Sequence, residues 1–226
     1  MINTVAIQGV KGSFHHIVSQ QFFDKPVATI ECLTFDRVVD SLITEKCDAA
    51  IMALENSIVG SIIPNYALID KYNLHVVGEH YLDIQHNLMA LPNQSVLDIK
   101  EVYSHPMALL QCKEFFKLHP HIKLVEDKDT AEVAERIQKN NLKGIGAIAS
   151  VMAAEIFELD ILNVMSDCKL NLTKIQSLPI VETPWKYAFF VDVTFADYED
   201  FKKAKSLIEI MAENFKVLGE YKNAKI

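Results

Sequence analysis

The chain has 226 residues, half of them hydrophobic and 23% charged, with 30 acidic against 22 basic side chains for a formal charge of −8. That length and apolar share fit two compact units, or one two-lobed unit with an appendage, and exclude disorder as the default. The acidic surplus forms no block, so phosphate-backbone binding and a nucleic-acid partner are not expected. No stretch reaches the roughly 20 apolar residues of a membrane helix.

The N-terminal residues run straight into Val5-Ala6-Ile7, with no basic region followed by a long apolar run, so no signal peptide is expected. Thr4–Gln8 reads as a strand, and Gly9-Val10-Lys11-Gly12-Ser13-Phe14 as a loop opening a helix through Ile17, Val18 and Phe22. Backbone N–H groups at such a helix start can hold an anion, but the glycine spacing matches no nucleotide-binding pattern, and a tight turn with an N-cap is the plainer reading. Thr34 is placed to cap a second helix carrying Val38, Val39, Leu42 and Ile43, and Ala49–Leu54 reads as a buried strand. That strand ends in Glu55-Asn56-Ser57, polar groups at the carboxyl end, where open α/β sheets place ligand-reading residues; a helix cap by Asn56 or Ser57 fits equally well.

Leu74–Val77 and Leu82–Leu91 look strand-like and lead into a second region. There Val102-Tyr103 precedes Ser104-His105-Pro106 and a helix from about Pro106 to Leu118, with Ser104 positioned to cap. Adjacent Ser and His do not make a nucleophile and base, which need a shared hydrogen bond in space. Leu124-Val125, a helix from Thr130 to about Gln138, the strand Gly146–Ala149 and a helix from Ser150 to about Phe157 complete another α/β lobe. After Leu170 the pattern is strand (Thr173–Ile180), strand (Lys186–Thr194), helix (Tyr198–Asn214), strand (Lys216–Tyr221).

The four cysteines, Cys32, Cys47, Cys112 and Cys168, form no CxxC pair, which fits a reducing cytoplasm better than a disulfide framework or a zinc knuckle. Of the histidines, the adjacent His15 and His16 and the turn-like His119 and His121 assemble no metal motif, so no metal is expected.

Taken together, the Gly12-Ser13-Phe14, Glu55-Asn56-Ser57, Ser104-His105-Pro106 and Gln111-Cys112 tracts resemble those of the prephenate dehydratase family, in order and spacing. Gly78-Glu79, Ile84–Leu88, Asp129-Thr130-Ala131 and Ala147–Ser150 are similar to further tracts of that family, and the likeness spans roughly residues 4 to 167. The resemblance implies an α/β fold: a two-lobed, periplasmic-binding-protein-like catalytic region at 1–170, followed by a partial ferredoxin-like (ACT) α+β tail at 171–226. Lobe one would cover about 1–77 plus a returning C-terminal segment, and lobe two about 78–160. The implied activity is that of a lyase turning prephenate into phenylpyruvate without a cofactor, in a cytoplasmic homo-oligomer such as a dimer.

By the same resemblance Thr173 matches the threonine assigned to the leaving hydroxyl, and Asn56, Ser104 and Gln111 match catalytic or orienting positions. Ser13, Glu55, Ser57, His105 and Lys174 are further substrate-binding candidates. The tail departs from the family pattern, because Asn171-Leu172-Thr173-Lys174-Ile175 stands where the family has two similar tracts separated by a strand and a helix. A deletion joining the two tracts would account for this. Lys174 and Ile175 also replace an Arg and a Phe, and lysine lacks the bidentate fork of arginine. Gln176, Ser177, Leu178 and Pro179 match part of the effector site, so L-phenylalanine is expected as a weakened effector. The competing reading is a catalytically impaired small-anion binding or sensing protein of the same fold. Arogenate in place of prephenate is a variant that the residues do not separate.

Overall fold

The structure is a computed structural model that describes residues 2–56, 60–165, 175–179, 187–191, 198, 202, 205, 209 and 215–222, with 175–179 and 187–191 described by their backbone. The chain divides into two compact units, residues 1–53 with 82–169, and residues 54–81 with 170–226. Among the described residues no helix is long and apolar enough to cross a membrane.

The first unit opens with β1 (Thr4–Gln8), α1 (Phe14–Phe22), β2 (Ala28–Cys32), α2 (Phe35–Ile43) and β3 (Ala49–Ala50). The three strands form a parallel sheet in the order β2-β1-β3. Parallel neighbours need crossovers, and α1 and α2 supply them, each started by a hydroxyl that accepts a backbone N–H: Ser13 from His16 and Thr34 from Arg37. Val5, Ala6 and Ile7 are fully buried in the middle of this sheet. The expected strand at Ala49–Leu54 is much shorter, because its partner β1 ends at the Gly9 turn and the ladder stops where the Ile51 N–H donates to the Ala6 carbonyl at 2.9 Å.

The second unit contributes, in chain order, the hairpin strands β4 (Glu55–Asn56) and β5 (Gly60–Ser61) and the helix α3 (Ile63–Lys71). Its later part holds an antiparallel hairpin, β11 (Ile175–Pro179) with β12 (Tyr187–Val191), and helical backbone at Tyr198, Lys202, Lys205 and Glu209. No strand forms at Leu74–Val77 or Lys216–Tyr221; one hydrogen bond joins them, from the Val76 N–H to the Leu218 carbonyl at 2.8 Å.

The first unit resumes with β6 (His86–Ala90), β7 (Glu101–Ser104), α4 (Pro106–Gln111), α5 (Lys113–Lys117), β8 (Lys123–Glu126), α6 (Thr130–Lys139), β9 (Ile145–Ala149), α7 (Val151–Ile156) and β10 (Asp160–Met165). These strands make a mixed sheet in the order β10-β6-β9-β7-β8, parallel between β9, β7 and β8 and antiparallel on either side of β6. One face packs Leu88, Ala90, Val102 and Ile148 against Ala108, Leu109, Cys112 and Phe116, while the other packs Met89, Ala147 and Ala149 against Val133, Ala134, Ile137 and Ala153. Helices on both faces explain why β6 is buried at every residue and reads as a continuous run rather than an alternation. The single helix expected over Pro106–Leu118 is broken at Cys112, whose backbone sits at φ −93, ψ 4 between α4 and α5.

Leu88 is fully buried on the central strand, whereas Leu97 is 80% exposed. Leu88→Ala is therefore expected to cost about 2–5 kcal/mol in urea unfolding and Leu97→Ala less than about 0.5 kcal/mol. Equal losses would contradict this packing.

Candidate active site

The carboxyl edge of the five-stranded sheet carries Ser104 at the end of β7, His105 after it, Asp129 before α6, and Ser150 after β9. The turn at the carboxyl end of β1, Gly9–Ser13, lies against this edge. Ser150 Oγ donates to the Gly12 carbonyl at 2.6 Å and accepts from the Ala153 N–H at 3.1 Å, so one hydroxyl both caps α7 and ties it to the turn. Gly12 has φ +85, and a Cβ there would lie 2.9 Å from the Ala153 Cα; only glycine permits the approach. At Gly9, a Cβ would meet Asp129 Oδ2 at 2.8 Å. The ring of Phe14 packs edge-on against His86, with centroids 5.6 Å apart.

Ser13, expected at the substrate, is 3% exposed and caps α1. Ser104 does not cap the helix that follows it. Standing at the end of β7, its side chain reaches the neighbouring strand and donates to the Ile148 carbonyl at 2.8 Å, and it is fully buried. Its hydroxyl thus holds the strand end. The cap is His105, whose Nδ1 accepts from the Met107 N–H at 3.2 Å, which leaves the proton of the neutral ring on Nε2. Gln111, at the end of α4, presents Oε1 to His86 Nε2, so His86 donates and the Gln111 amide NH2 remains a donor. His86 and Ser150 carry no role in the sequence reading beyond standing in matched tracts, although Ser150 shows the hydroxyl-before-helix signal that marks a cap.

In the second unit, Glu55 Oε1 accepts from Ser61 Oγ at 2.7 Å and from the Tyr66 hydroxyl at 2.8 Å. The carboxylate therefore binds the β4–β5 hairpin, which carries Asn56, to α3. Ser57, Thr173 and Lys174 lie outside the described residues, as do the side chains of Gln176, Ser177, Leu178 and Pro179, whose backbone pairs with β12. Among the described residues no group of His, Cys, Asp and Glu side chains is arranged to hold a metal ion.

Burial dominates the electrostatics around the turn. His15 packs edge-on against Phe35, and desolvation lowers its pKa from 6.5 to about 4 despite a hydrogen bond to the Gln8 backbone. His16 is lowered as well, chiefly by burial; its Nδ1 accepts the Gly12 N–H at 3.0 Å, a bond that requires the neutral ring. Asp129 moves the other way: burial raises its pKa, although the N–H groups of Glu132 and Ala131 and the nearby His105 favour the charged form.

The family model for prephenate dehydratase matches residues 5–176. The chain belongs to the prephenate dehydratase family. It is 27% identical to a bifunctional chorismate mutase/prephenate dehydratase of Buchnera aphidicola (subsp. Acyrthosiphon pisum), over 96% of this chain and 70% of the relative. It is 33% identical to the chloroplastic arogenate dehydratase/prephenate dehydratase 1 of Arabidopsis thaliana, over 80% of this chain but 48% of that relative. The fold is that of the prephenate dehydratase from Staphylococcus aureus, with a TM-score of 0.77 at 18% identity over 97% of this chain and 100% of the other. The protein described as a quorum quenching acylase, GqqA, shares it too, with a TM-score of 0.83 at 22% identity over 97% of each chain. A fold held by a dehydratase and by a protein titled an acylase leaves chemistry to the side chains.

A histidine with a lowered folded pKa binds its proton more weakly folded than unfolded. The contribution of His15 is therefore whole above about pH 6.5 and is lost as pH falls towards 4, at no more than about 1.4 kcal/mol per pH unit. Urea midpoints at pH 7 and pH 5 should separate more for the wild type than for His15→Gln. Equal separations would contradict the burial of that ring.

Proposed function

We propose that this chain is a prephenate dehydratase acting in phenylalanine biosynthesis, converting prephenate to phenylpyruvate, carbon dioxide and water. The observation that carries the reading is the match of the family model over residues 5–176, which takes in the Gly9–Ser13 turn, His105, Asp129 and Ser150 that meet at one edge of the first unit. In the reaction the bond from the ring to its carboxylate breaks, its electron pair enters the ring, and the ring hydroxyl departs with a proton as water. Aromatisation drives the step, and the electrons balance without an external oxidant or reductant.

Hydroxide leaves poorly, so the site must supply a proton or a strong hydrogen bond at the departing oxygen while holding two carboxylates. Thr173 is assigned the leaving hydroxyl. Asn56 and the amide NH2 of Gln111 are each assigned a substrate oxygen, and Ser57 and Lys174 are further substrate-binding candidates; Lys174 offers a point charge. The Ser13 hydroxyl and His105 Nε2–H are donors for a carboxylate, Glu55 holds the Asn56 hairpin, and Ser104 holds the strand end from which His105 projects. We assign residues 1–170 to the catalytic region and 171–226 to a partial ACT-like tail, in a cytoplasmic homo-oligomer. Because only part of the effector tract, Gln176-Ser177-Leu178-Pro179, is retained, L-phenylalanine binds weakly.

The test is phenylpyruvate formation by the full chain. The wild type should form it from prephenate above the uncatalysed rate, Thr173→Ala should lose about 10²–10³-fold in kcat, as when one oxyanion-directed donor is removed, and L-phenylalanine should inhibit weakly if at all. Prephenate binding with no turnover would overturn the enzyme reading in favour of a sensor, and strong saturable inhibition would overturn the reading of the tail.

A further inference from the structure

The second unit is assembled from two stretches far apart in the chain, 54–81 and 170–226, and the segment Lys216–Glu220 of the later stretch touches the earlier one. The Leu218 carbonyl accepts the Val76 N–H at 2.8 Å, and Lys216 Nζ lies 3.4 Å from Asp70 Oδ1 near the end of α3. A Cβ on Gly219 would stand 2.3 Å from the Val76 carbonyl oxygen and 3.0 Å from its carbonyl carbon, backbone atoms that no rotamer moves aside. Glycine at 219 is thus what lets the two backbones touch. The same segment is tied to the rest of the tail, because the Tyr198 hydroxyl donates to Glu220 Oε2 at 2.8 Å.

From Val76 and Asp70 the contacts run on to the hairpin that carries Asn56. The Leu74 N–H donates to the Ile69 carbonyl at 2.9 Å, which fixes the stretch before Val76 to the end of α3. One turn earlier in that helix, the Tyr66 hydroxyl donates to Glu55 Oε1 at 2.8 Å, and Ser61 Oγ donates to the same oxygen at 2.7 Å. Neither element holds its shape unaided. α3 has 9 residues and no side-chain cap, and β4 and β5 have 2 residues each, lengths at which an isolated helix or a two-stranded ribbon is marginal in water. Their geometry is therefore set by what they dock on, and the tail segment supplies a contact at the carboxyl end of α3.

We propose that Lys216–Glu220 is a positioning element of the active site, with Gly219 as its decisive residue. Seated on Val76 and Asp70, the segment fixes α3, and through the Tyr66–Glu55 bond it holds the hairpin at which Asn56 meets the substrate. The inference rests on the dehydratase reading, in which Asn56 takes a substrate oxygen, and deepens it: a substrate contact depends on residues of the tail that never touch the substrate.

The experiment compares the full chain as wild type, Gly219→Val, Lys216→Asp, Asp70→Lys and the double exchange Lys216→Asp with Asp70→Lys. It reads steady-state kinetics with prephenate, and backbone amide NMR without substrate. Gly219→Val should raise KM by about 2–10-fold, the worth of one hydrogen bond, with kcat changed less than about twofold, and should shift the amides of Glu55, Asn56 and Tyr66. Each single charge reversal should raise KM by about 1.5–5-fold, and the double exchange should restore it. A merely structural segment would lower the urea midpoint while KM and those three amides stay as in the wild type, and that result overturns the proposal. If Gly219→Val does not fold, the charge exchange decides, and a double exchange that fails to restore KM overturns the proposal. If the wild type forms no phenylpyruvate, the dehydratase reading fails, while movement or constancy of the Glu55, Asn56 and Tyr66 amides still decides whether the segment positions the hairpin.

Discussion

Everything proposed for the first unit depends on the docking of the turn after β1 onto the carboxyl edge of the five-stranded sheet. Ser150 Oγ bridges the N–H of Ala153 and the carbonyl of Gly12, and the Cα of Ala153 stands where a side chain on residue 12 would lie. The contact is polar at its centre and close-packed around it, which makes it specific in register: a displaced turn would bury the Gly12 carbonyl without a donor. From this one contact follow the placing of Ser13, the approach of Asp129 to Gly9 and the packing of Phe14 on His86.

Burial lowers the pKa of both adjacent histidines. Protonation of His16 would remove the acceptor for the Gly12 N–H, so the neutral ring is part of how the turn is held. His15 reaches the same end by packing on Phe35. The turn is thus held by a neutral imidazole and by backbone N–H groups that already have acceptors, beside one buried carboxylate.

Elements whose residues face a core were plain in the sequence. β1 and α1 fall where apolar spacing puts them, α2 starts at its threonine, and α6 carries the 3.6-residue stripe Val133, Ala134, Ile137. What was missed lies at edges. β2 and β10 flank their sheets, are mostly exposed or half-buried, and so show little hydrophobic pattern. α3 has no hydroxyl cap and buries Asn65 beside Tyr66 and Ile69, which blurs its stripe. Of the site, the motif order identified the family, yet the individual roles were not legible: Ser104 was expected to cap and instead bonds across the sheet, because the β7–β9 ladder ends at Tyr103 and the Ile148 carbonyl lies within reach of its hydroxyl. Asp129 looked like a helix start, and only the fold shows its second oxygen beside Gly9.

The central claim is that the turn after β1 and the ends of β7, β8 and β9 form one ligand site. Its most direct test is a titration of the full chain with prephenate followed by backbone amide NMR. The account predicts saturating shifts that cluster at Gly9, Gly12, Ser13, His105 and Asp129. Shifts confined to residues away from this edge, with those five unmoved at saturation, would contradict it.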